Sequence, residues 1–488
     1  MGELPRTKRP RLKETEESLR QQPHLPPPPG EAAGGREEED DAAAGPGPDL
    51  ISRLPDDVLG DVITRVPTID GGRTQLLSRR WRPLWRAAPL NLEATTAAAA
   101  AAILRSHRGG PVRRFSLACS DDSYHPPVVD DVLQPQPPGL DGLQELEFGY
   151  SDSAMAIAAG LPKRAPLSVR TVLRFSRTLR VLTICFRNNH RLKLRLNKVA
   201  PVAYLRLIFH HLEHLTINGV TISESAIHGV LASCHVLQSL VLQRNAGYRH
   251  LRISSPTLRS LGISNGYYHD RQDGTLEEVT VEDAPLLERI YELKFSKWYI
   301  KQKTEAVRLP DALRTVKILA LDVAPDNLEA VVDILAYFPC VEKLYMVLTR
   351  WKMMNVRAKP KNVWRNVPLE CLDKHLKVLE FKSYRGNLAD VSFIRFFLSK
   401  ARVLESLRVL AARDKCGPKW ISLQRKKLRL SARASRGAML SFEPEPDHGT
   451  PSRVPIKHIH DLARNDPYDV SSCTCLNDNS SSFFILDD

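Results

Sequence analysis

The sequence predicts an α/β chain: a small helical unit near the N-terminus, followed by an irregular solenoid of parallel strands and helices. Three observations predict it. An apolar stripe at helical spacing runs through Val58, Leu59, Val62, Ile63 and Val66. A six-residue pattern, apolar-x-x-apolar-x-apolar, recurs ten times between residues 143 and 409. The chain has 488 residues, 42% of them hydrophobic, which is enough for a large core or several domains.

Residues 1–49 carry PPPPG, REEEDD and AAAGPGPD with few large apolar groups, and are expected to be a disordered tail. They hold seven Lys/Arg and eleven Asp/Glu, a balance of −4. The net charge of the whole is +14, so the remainder is +18. Such a basic body suits nucleic acid or an acidic protein partner. RTKRPRLK, at residues 6–13, has five basic residues in eight and is a candidate nuclear import signal. The expected location is the nucleus and/or cytoplasm.

Residues 50–93 read as three short helices. Leu54-Pro55 opens the first, with Asp56 and Asp57 near its positive end. Pro67 stops it, and Gly71-Gly72 is expected to be a turn. A second helix is expected over Arg73 to Leu77. The third carries LSRRWRPLWR, in which Trp81 and Trp85 are four apart and share one face with Leu77 and Leu84. A unit of about 45 residues is small for independent stability. It is apolar on more than one side, so it needs a cover.

This stretch resembles a plant F-box over its whole length. The matching residues are Leu54-Pro55, the apolar stripe, Val66-Pro67, Arg73-Thr74, Leu77-Ser78, Arg80-Trp81 and Leu84-Trp85. The resemblance implies docking on a Skp-type adaptor and, through it, on a cullin scaffold that recruits a ubiquitin-charged enzyme. The residues expected at that interface are Leu54, Pro55, Leu59, Ile63, Val66, Pro67 and Trp81.

After an alanine run and a helix, RRFSLAC is expected to be a first strand, and residues 121–140, rich in Asp and Pro, a surface loop. The repeated pattern then begins: LQELEF (143–148), LRVLTI (179–184), LEHLTI (212–217), LQSLVL (237–242), LRSLGI (258–263), LEEVTV (276–281), LRTVKI (313–318), VEKLYM (341–346), LKVLEF (376–381) and LESLRV (404–409). Successive starts differ by 18 to 37 residues, which brackets leucine-rich-repeat spacing with insertions. One repeat cannot bury its own face; stacking builds a continuous core. ISESAIHGVLASCHVLQSLVL (222–242) shows the unit, a Ser-led helix and then a strand. The solenoid is assigned to residues 94–365.

Residues 369–409 resemble the FBD domain of plant F-box proteins through Cys371-Leu372, His375-Leu376-Lys377, Phe381, Gly386, Phe393, Phe397-Leu398 and Ala401-Arg402-Val403-Leu404. A strand, a Gly turn, a helix with Phe393, Ile394, Phe397 and Leu398 inward, and a second strand are expected. The FBD segment, 366–412, is expected to continue or cap the solenoid. Residues 413–488 are expected to be a basic segment followed, from about 441, by a mostly disordered tail.

No catalytic motif stands out: there is no P-loop, dinucleotide Gly pattern, HExxH or GxSxG. The eight cysteines are scattered and form no CxxC, which excludes a zinc module and points to a reduced, intracellular protein. His458-Ile459-His460 is read as part of the polar tail. No apolar run reaches membrane-spanning length. Two basic patches, 350–365 and 413–436, are read first as solvated surface. No cofactor or metal is expected.

The chain as a whole therefore resembles the plant F-box/FBD/LRR-repeat family. The resemblance implies the non-catalytic substrate-recognition subunit of a Skp-cullin-F-box ubiquitin ligase. An unknown protein target is expected on outward residues of the strands: Glu213, His214, Thr216, Gln238 and Arg259, with Ser239, Val241, Ser260 and Gly262 beside them. Nucleic acid and membrane are not the expected partners. The alternatives are a non-catalytic adaptor-binding scaffold and a basic nucleic-acid-binding solenoid.

Overall fold

Leu215, Leu240 and Leu261 stand abreast on neighbouring parallel strands, and this ladder organises the fold. The computed structural model describes residues 50–121, 132–133, 139–152, 167, 169–187, 192–193, 209–264, 276–294, 314–323, 328–348, 369–445, 454–469 and 485–486. The expectations for residues 1–49, for most of 121–140 and for the basic patch 350–365 lie outside the described residues.

The chain divides into two units, Met1–Leu54 and Pro55–Asp488. In the first, Ile51–Arg53 form one helical turn, closed by the Leu54 N–H donating to the Ile51 carbonyl. The second opens with α1 (Asp56–Arg65), α2 (Thr68–Arg73) and α3 (Trp81–Ala87). Pro55 and Pro67 stand immediately before α1 and α2, where a missing N–H costs nothing. Gly71-Gly72 lies inside α2 rather than in a turn. A Cβ on Gly71 would meet the Trp85 ring at 2.7 Å, so glycine is there to admit the indole. The second helix accordingly starts and ends earlier than expected, with a helical turn, Thr74–Leu76, after it.

Nineteen strands follow among the described residues: β1 (Leu90–Ala94), β2 (Val112–Asp121), β3 (Glu145–Asp152), β4 (Val181–Arg187), β5 (Leu192–Lys193), β6 (His214–Asn218), β7 (Val220–Thr221), β8 (Ser239–Gln243), β9 (His250–Ser254), β10 (Ser260–Ser264), β11 (Glu278–Asp283), β12 (Arg289–Lys294), β13 (Ile318–Val323), β14 (Lys343–Leu348), β15 (Val378–Tyr384), β16 (Ser406–Ala411), β17 (Met439–Pro444), β18 (Val454–Pro455) and β19 (Ile485–Leu486). Thirteen of them form one sheet in the order β1-β2-β3-β4-β6-β8-β10-β12-β13-β14-β15-β16-β17. Every neighbouring pair in it is parallel. The sheet does not close into a barrel.

Eight of the ten motifs place their alternating apolar pair on this sheet in one register. Leu146, Leu182, Leu215, Leu240 and Leu261 pair in turn, as do Leu344, Leu379 and Leu407. These leucines are buried, each contributing about 1.5–3 kcal/mol. Helices cover this side. In one, Glu224–Ser233, the Ser223 hydroxyl caps the start by accepting from the Ala226 N–H at 3.3 Å.

Two motifs depart from expectation. LEEVTV lies on β11, which pairs with β9 in a separate two-stranded sheet. LRTVKI overlaps its strand only at Ile318, and the ladder positions fall three residues later than the motif places them, on Leu319 and Leu321. The strand missing from the repeat count is β12. Its register shifts between Ile290 and Leu293, which breaks the six-residue spacing.

The FBD segment continues the sheet as β15 and β16. The helix between them, Leu388–Lys400, starts on an Asn387 cap and buries Phe393, Ile394, Phe397 and Leu398. It does not end the sheet. β17 pairs beyond β16, so residues 439–444 form the last strand. The C-terminal region is not simply a tail either. Residues 454–469 include a short helix, Ile456–His460, and pack on the sheet.

Candidate protein-interaction sites

The helical unit is built on two faces. Inward, Leu59, Ile63, Trp81 and Trp85 are buried. Outward, Val58 and Val62 are each 42% exposed on α1, and Ile69, Leu76 and Leu77 are more exposed still. The apolar stripe of α1 thus splits: Leu59 and Ile63 make the core, Val58 and Val62 face away from it. Exposed apolar residues this dense, on helices whose inner face is already packed, mark an interaction surface.

Of the residues expected at the adaptor interface, Pro55 and Pro67 are exposed, and Leu54 and Val66 are half-buried. Leu59, Ile63 and Trp81 are interior, because they fill the space between α1, α3 and the start of the sheet. The helical period alone does not distinguish the two apolar faces of α1, and the expected set takes residues from the interior as well as from the surface. Leu50 and Ile51, on the turn of the first unit, are exposed.

The helical unit is fastened to the sheet. Thr68 Oγ1 donates to the Asn91 carbonyl, and Asn91 Nδ2 to the Thr64 carbonyl. His107, buried after α4 (Ala97–Ser106), has Nε2 2.9 Å from the Trp85 carbonyl and its ring edge-on to the Trp85 indole. Desolvation holds His107 below the ordinary histidine pKa. Arg80 pairs with Asp56 at 2.6 Å, joining the start of α3 to that of α1.

The second site is the sheet face opposite the helices, where target residues were expected. It has three zones. At β1–β3, Arg114 lies among Glu93 (2.7 Å), Glu147 (2.6 Å) and Glu145 (3.6 Å). At β15–β17, Arg408 joins Glu380 (2.9 Å) and Glu443 (2.8 Å). Between these charged ends many outward residues are small or apolar, with Arg289, Asp322 and Lys343 set among them. Ala118, Cys185, Val241, Tyr291, Ile318, Ala320 and Tyr345 form one buried cluster with Val454, Ile456 and Ile459, and Tyr468 packs on it. All five residues of β8 and of β10 are buried, which requires cover on both faces.

The C-terminal segment supplies that cover. Nε2 of His460 is 2.8 Å from the Thr216 hydroxyl, and its Nδ1 is 2.7 Å from the Ser239 hydroxyl. A neutral imidazole accepts through one nitrogen and donates through the other, so both hydroxyls are satisfied. Ser260 Oγ donates to the Ile459 carbonyl at 3.2 Å. Arg289 donates to the Asp461 carbonyl (3.2 Å) and the Leu462 carbonyl (2.9 Å). Lys343 Nζ reaches the Asn465 carbonyl at 3.3 Å, and the Tyr345 hydroxyl donates to Asp466. The Tyr468 ring stacks on Tyr345 at 4.2 Å, with the Lys382 ammonium 4.5 Å from its centre.

The expected target residues therefore divide. Thr216, with Ser239, Val241, Ser260 and Gly262, is buried, and His460 sits on Thr216 and Ser239. These are not an open recognition face. His214 is half-buried, its ring 5.0 Å from that of His460. Glu213, Gln238 and Arg259 lie just before their strands and are half-buried; Glu213 pairs with Arg180 (2.6 Å) and Arg259 with Glu288 (3.0 Å). Of the histidines read as polar tail, His458 is buried and His460 is half-buried against the sheet. The signal for this was in the sheet. Outward positions such as Cys185, Val241, Gly262 and Ala320 carry no charge, unlike a face left to water.

In the basic span 413–436, the helix Pro418–Leu428 packs through Gln424 and Leu428. Some of its cations bond internally: Lys427 to the Gly386 carbonyl at 3.1 Å and Arg425 to the Leu440 carbonyl at 3.4 Å. Among the described residues no group of three or more His, Cys, Asp or Glu side chains is placed to hold a metal ion, and no helix is long and apolar enough to cross a membrane.

Comparison with known proteins agrees with this architecture. Residues 51–92 match the F-box domain model, and residues 365–409 the FBD model. Residues 135–298 and 290–346 match a model of the LRR repeats of the FBD-associated F-box protein At5g56370. The putative F-box/FBD/LRR-repeat protein At5g56810 of Arabidopsis thaliana is 24% identical over 413 residues, spanning 74% of this chain and 89% of that protein. The putative F-box/FBD/LRR-repeat protein At3g49480, also of Arabidopsis thaliana, is 24% identical over 418 residues, 73% of this chain and 88% of that one. Over a shorter stretch of 43 residues, 9% of this chain and 24% of its relative, the putative FBD-associated F-box protein At3g12840 of Arabidopsis thaliana is 54% identical. With an F-box, leucine-rich repeats and an FBD segment in that order, the chain belongs to the F-box/FBD/LRR-repeat family of plant proteins.

Proposed function

We propose that this F-box protein is the target-recognition subunit of a Skp-cullin-F-box ubiquitin ligase and carries out no bond chemistry of its own. The observation that carries this reading is the outward apolar set Val58, Val62, Ile69, Leu76 and Leu77, on helices already packed inside. A Skp-type adaptor covers that set, and a cullin joins through the adaptor. The solenoid binds a protein target. The mechanism is proximity: the bonds from Thr68 and Asn91 fix the helical unit to β1, so a bound target is held at high effective concentration near the ubiquitin-charged enzyme. The basic cluster at residues 6–13 directs nuclear import in this reading.

The test is binding of the purified chain to a plant Skp-type adaptor. Wild type is expected to bind, and Leu76→Asp/Ile69→Asp to lose binding while its circular dichroism is unchanged. A folded wild type that fails to bind overturns the reading. The second reading, a nucleic-acid-binding solenoid, draws on residues 413–436, with nine Lys/Arg and one Asp. It requires polynucleotide binding that falls steeply with salt.

A further inference from the structure

Residues 454–469 are laid on the sheet without joining it. None of the thirteen strands pairs with them; among the described residues their strand pairing is Val454–Pro455 with Ile485–Leu486. The parallel ladder from β1 to β17 takes none of its strand pairings from this segment.

The grip is of a particular kind. Ser260, Arg289 and Lys343 donate to four main-chain carbonyls of the segment, those of Ile459, Asp461, Leu462 and Asn465. Donors aimed at main-chain oxygens hold a polypeptide whatever its side chains. Selection is added at two points. Tyr345 stacks on Tyr468, and the Thr216 and Ser239 hydroxyls clasp His460. Ile456 and Ile459 fill the apolar part of the face. A site that reads a peptide backbone and tests a few side chains is a peptide-binding site.

We propose that the sheet face from β6 to β14 is a groove for a polypeptide segment, occupied in cis by residues 454–469 as a displaceable strap. A target enters by exchange with the strap. Its docking segment carries two apolar residues three apart and an aromatic residue about nine further on, the spacing of Ile456, Ile459 and Tyr468. The vacated face would expose Val241, Tyr291, Ile318 and Tyr345, so it is either strapped or filled, not left open. What is said of targets rests on the receptor reading above. The exchange itself is measured without adaptor, so its failure and the failure of adaptor binding are separate results.

The experiment uses the full chain with a protease site placed within residues 446–450, between β17 and β18. After folding, the chain is cut, and a fluorescent peptide of residues 452–470 is added. The cut chain is expected to take up the peptide by exchange and the uncut chain to exclude it. Tyr468→Ala or Ile459→Ser in the peptide weakens uptake by about tenfold or more. A second arm needs no cut: full-length Tyr468→Ala, with a loosened strap, binds the wild-type peptide where wild type does not. Two outcomes overturn the proposal. One is a cut chain that stays folded by circular dichroism yet takes up no peptide. The other is a chain that loses its sheet signal whenever the segment leaves, which makes residues 454–469 a fixed part of the fold.

Discussion

The imidazole of His460 lies 5.0 Å, centre to centre, from that of His214, inside the contact between the C-terminal segment and the sheet. Desolvation, and secondarily His214, hold the pKa of His460 well below the ordinary histidine value. Burial likewise lowers His214, opposed by Glu213 and assisted by Arg180. The groups facing His460 are His214, Thr216 and Ser239. None is a carboxylate that would welcome a proton.

The pH dependence follows. The free segment takes up protons near the ordinary value, 6.5, while the packed one stays neutral. Packing is therefore fully favourable above about pH 6.5 and weakens as pH falls below it. Hydrogen exchange of residues 456–469 is expected to accelerate from pH 7.5 to pH 5.5, after correction for intrinsic rates. In His460→Gln, which cannot ionise, that acceleration is reduced. An unchanged pH slope in the variant refutes the assignment.

Two glycines in the helical unit respond in opposite directions. Gly60 is within α1, and a Cβ added there would have nothing within 4 Å, so Gly60→Ala is expected to stabilise by about 0.5–1 kcal/mol through helix propensity. Gly71→Ala meets the Trp85 ring at 2.7 Å and is expected to destabilise by about 1–3 kcal/mol through overpacking. Urea denaturation of both variants checks the pair.

The repeat core was legible because Leu215, Leu240 and Leu261 obey a strict two-residue alternation, and a parallel ladder needs nothing else to set its register. β12 escaped because its bulge moves the second apolar residue to Leu293. The C-terminal segment escaped for a different reason. Val-Pro-Ile-Lys-His-Ile-His is too short and mixed to announce a core role by itself. Its burial follows from complementary residues, Val241, Tyr291 and Tyr345, that lie far away in sequence. Local periodicity carries no record of such pairing. The split of α1 into inner Leu59 and outer Val62 was hidden likewise, since both faces are apolar.

Arg289 holds the segment through two carbonyls, so its removal is expected to act locally. In Arg289→Met the long apolar stem is kept and the two bonds, to Asp461 and Leu462, are lost. Each charge-assisted bond is worth about 1.5–3 kcal/mol. Exchange protection over residues 459–466 is expected to drop while β8 and β10 amides keep theirs. Equal loss across the sheet contradicts the picture of a segment laid on a complete ladder.

The two faces of the helical unit make the last prediction, because burial and exposure there dictate different responses to substitution. Leu59 is 1% exposed, inside the helical unit, so Leu59→Ala opens a cavity and is expected to cost about 2–5 kcal/mol. Leu76 is 85% exposed, so Leu76→Asp leaves no cavity and strands no buried charge; its stability change is expected within about 0.5 kcal/mol. Adaptor binding reads the other way. Under the ligase reading, Leu76→Asp places a charge in the docking surface and weakens binding directly, at full foldedness. Leu59→Ala weakens binding only in proportion to unfolding of the helical unit, so lowering the temperature restores it. Denaturation curves paired with adaptor titrations at two temperatures separate the cases. A Leu76→Asp chain that is folded and binds as well as wild type would remove this face from the interface.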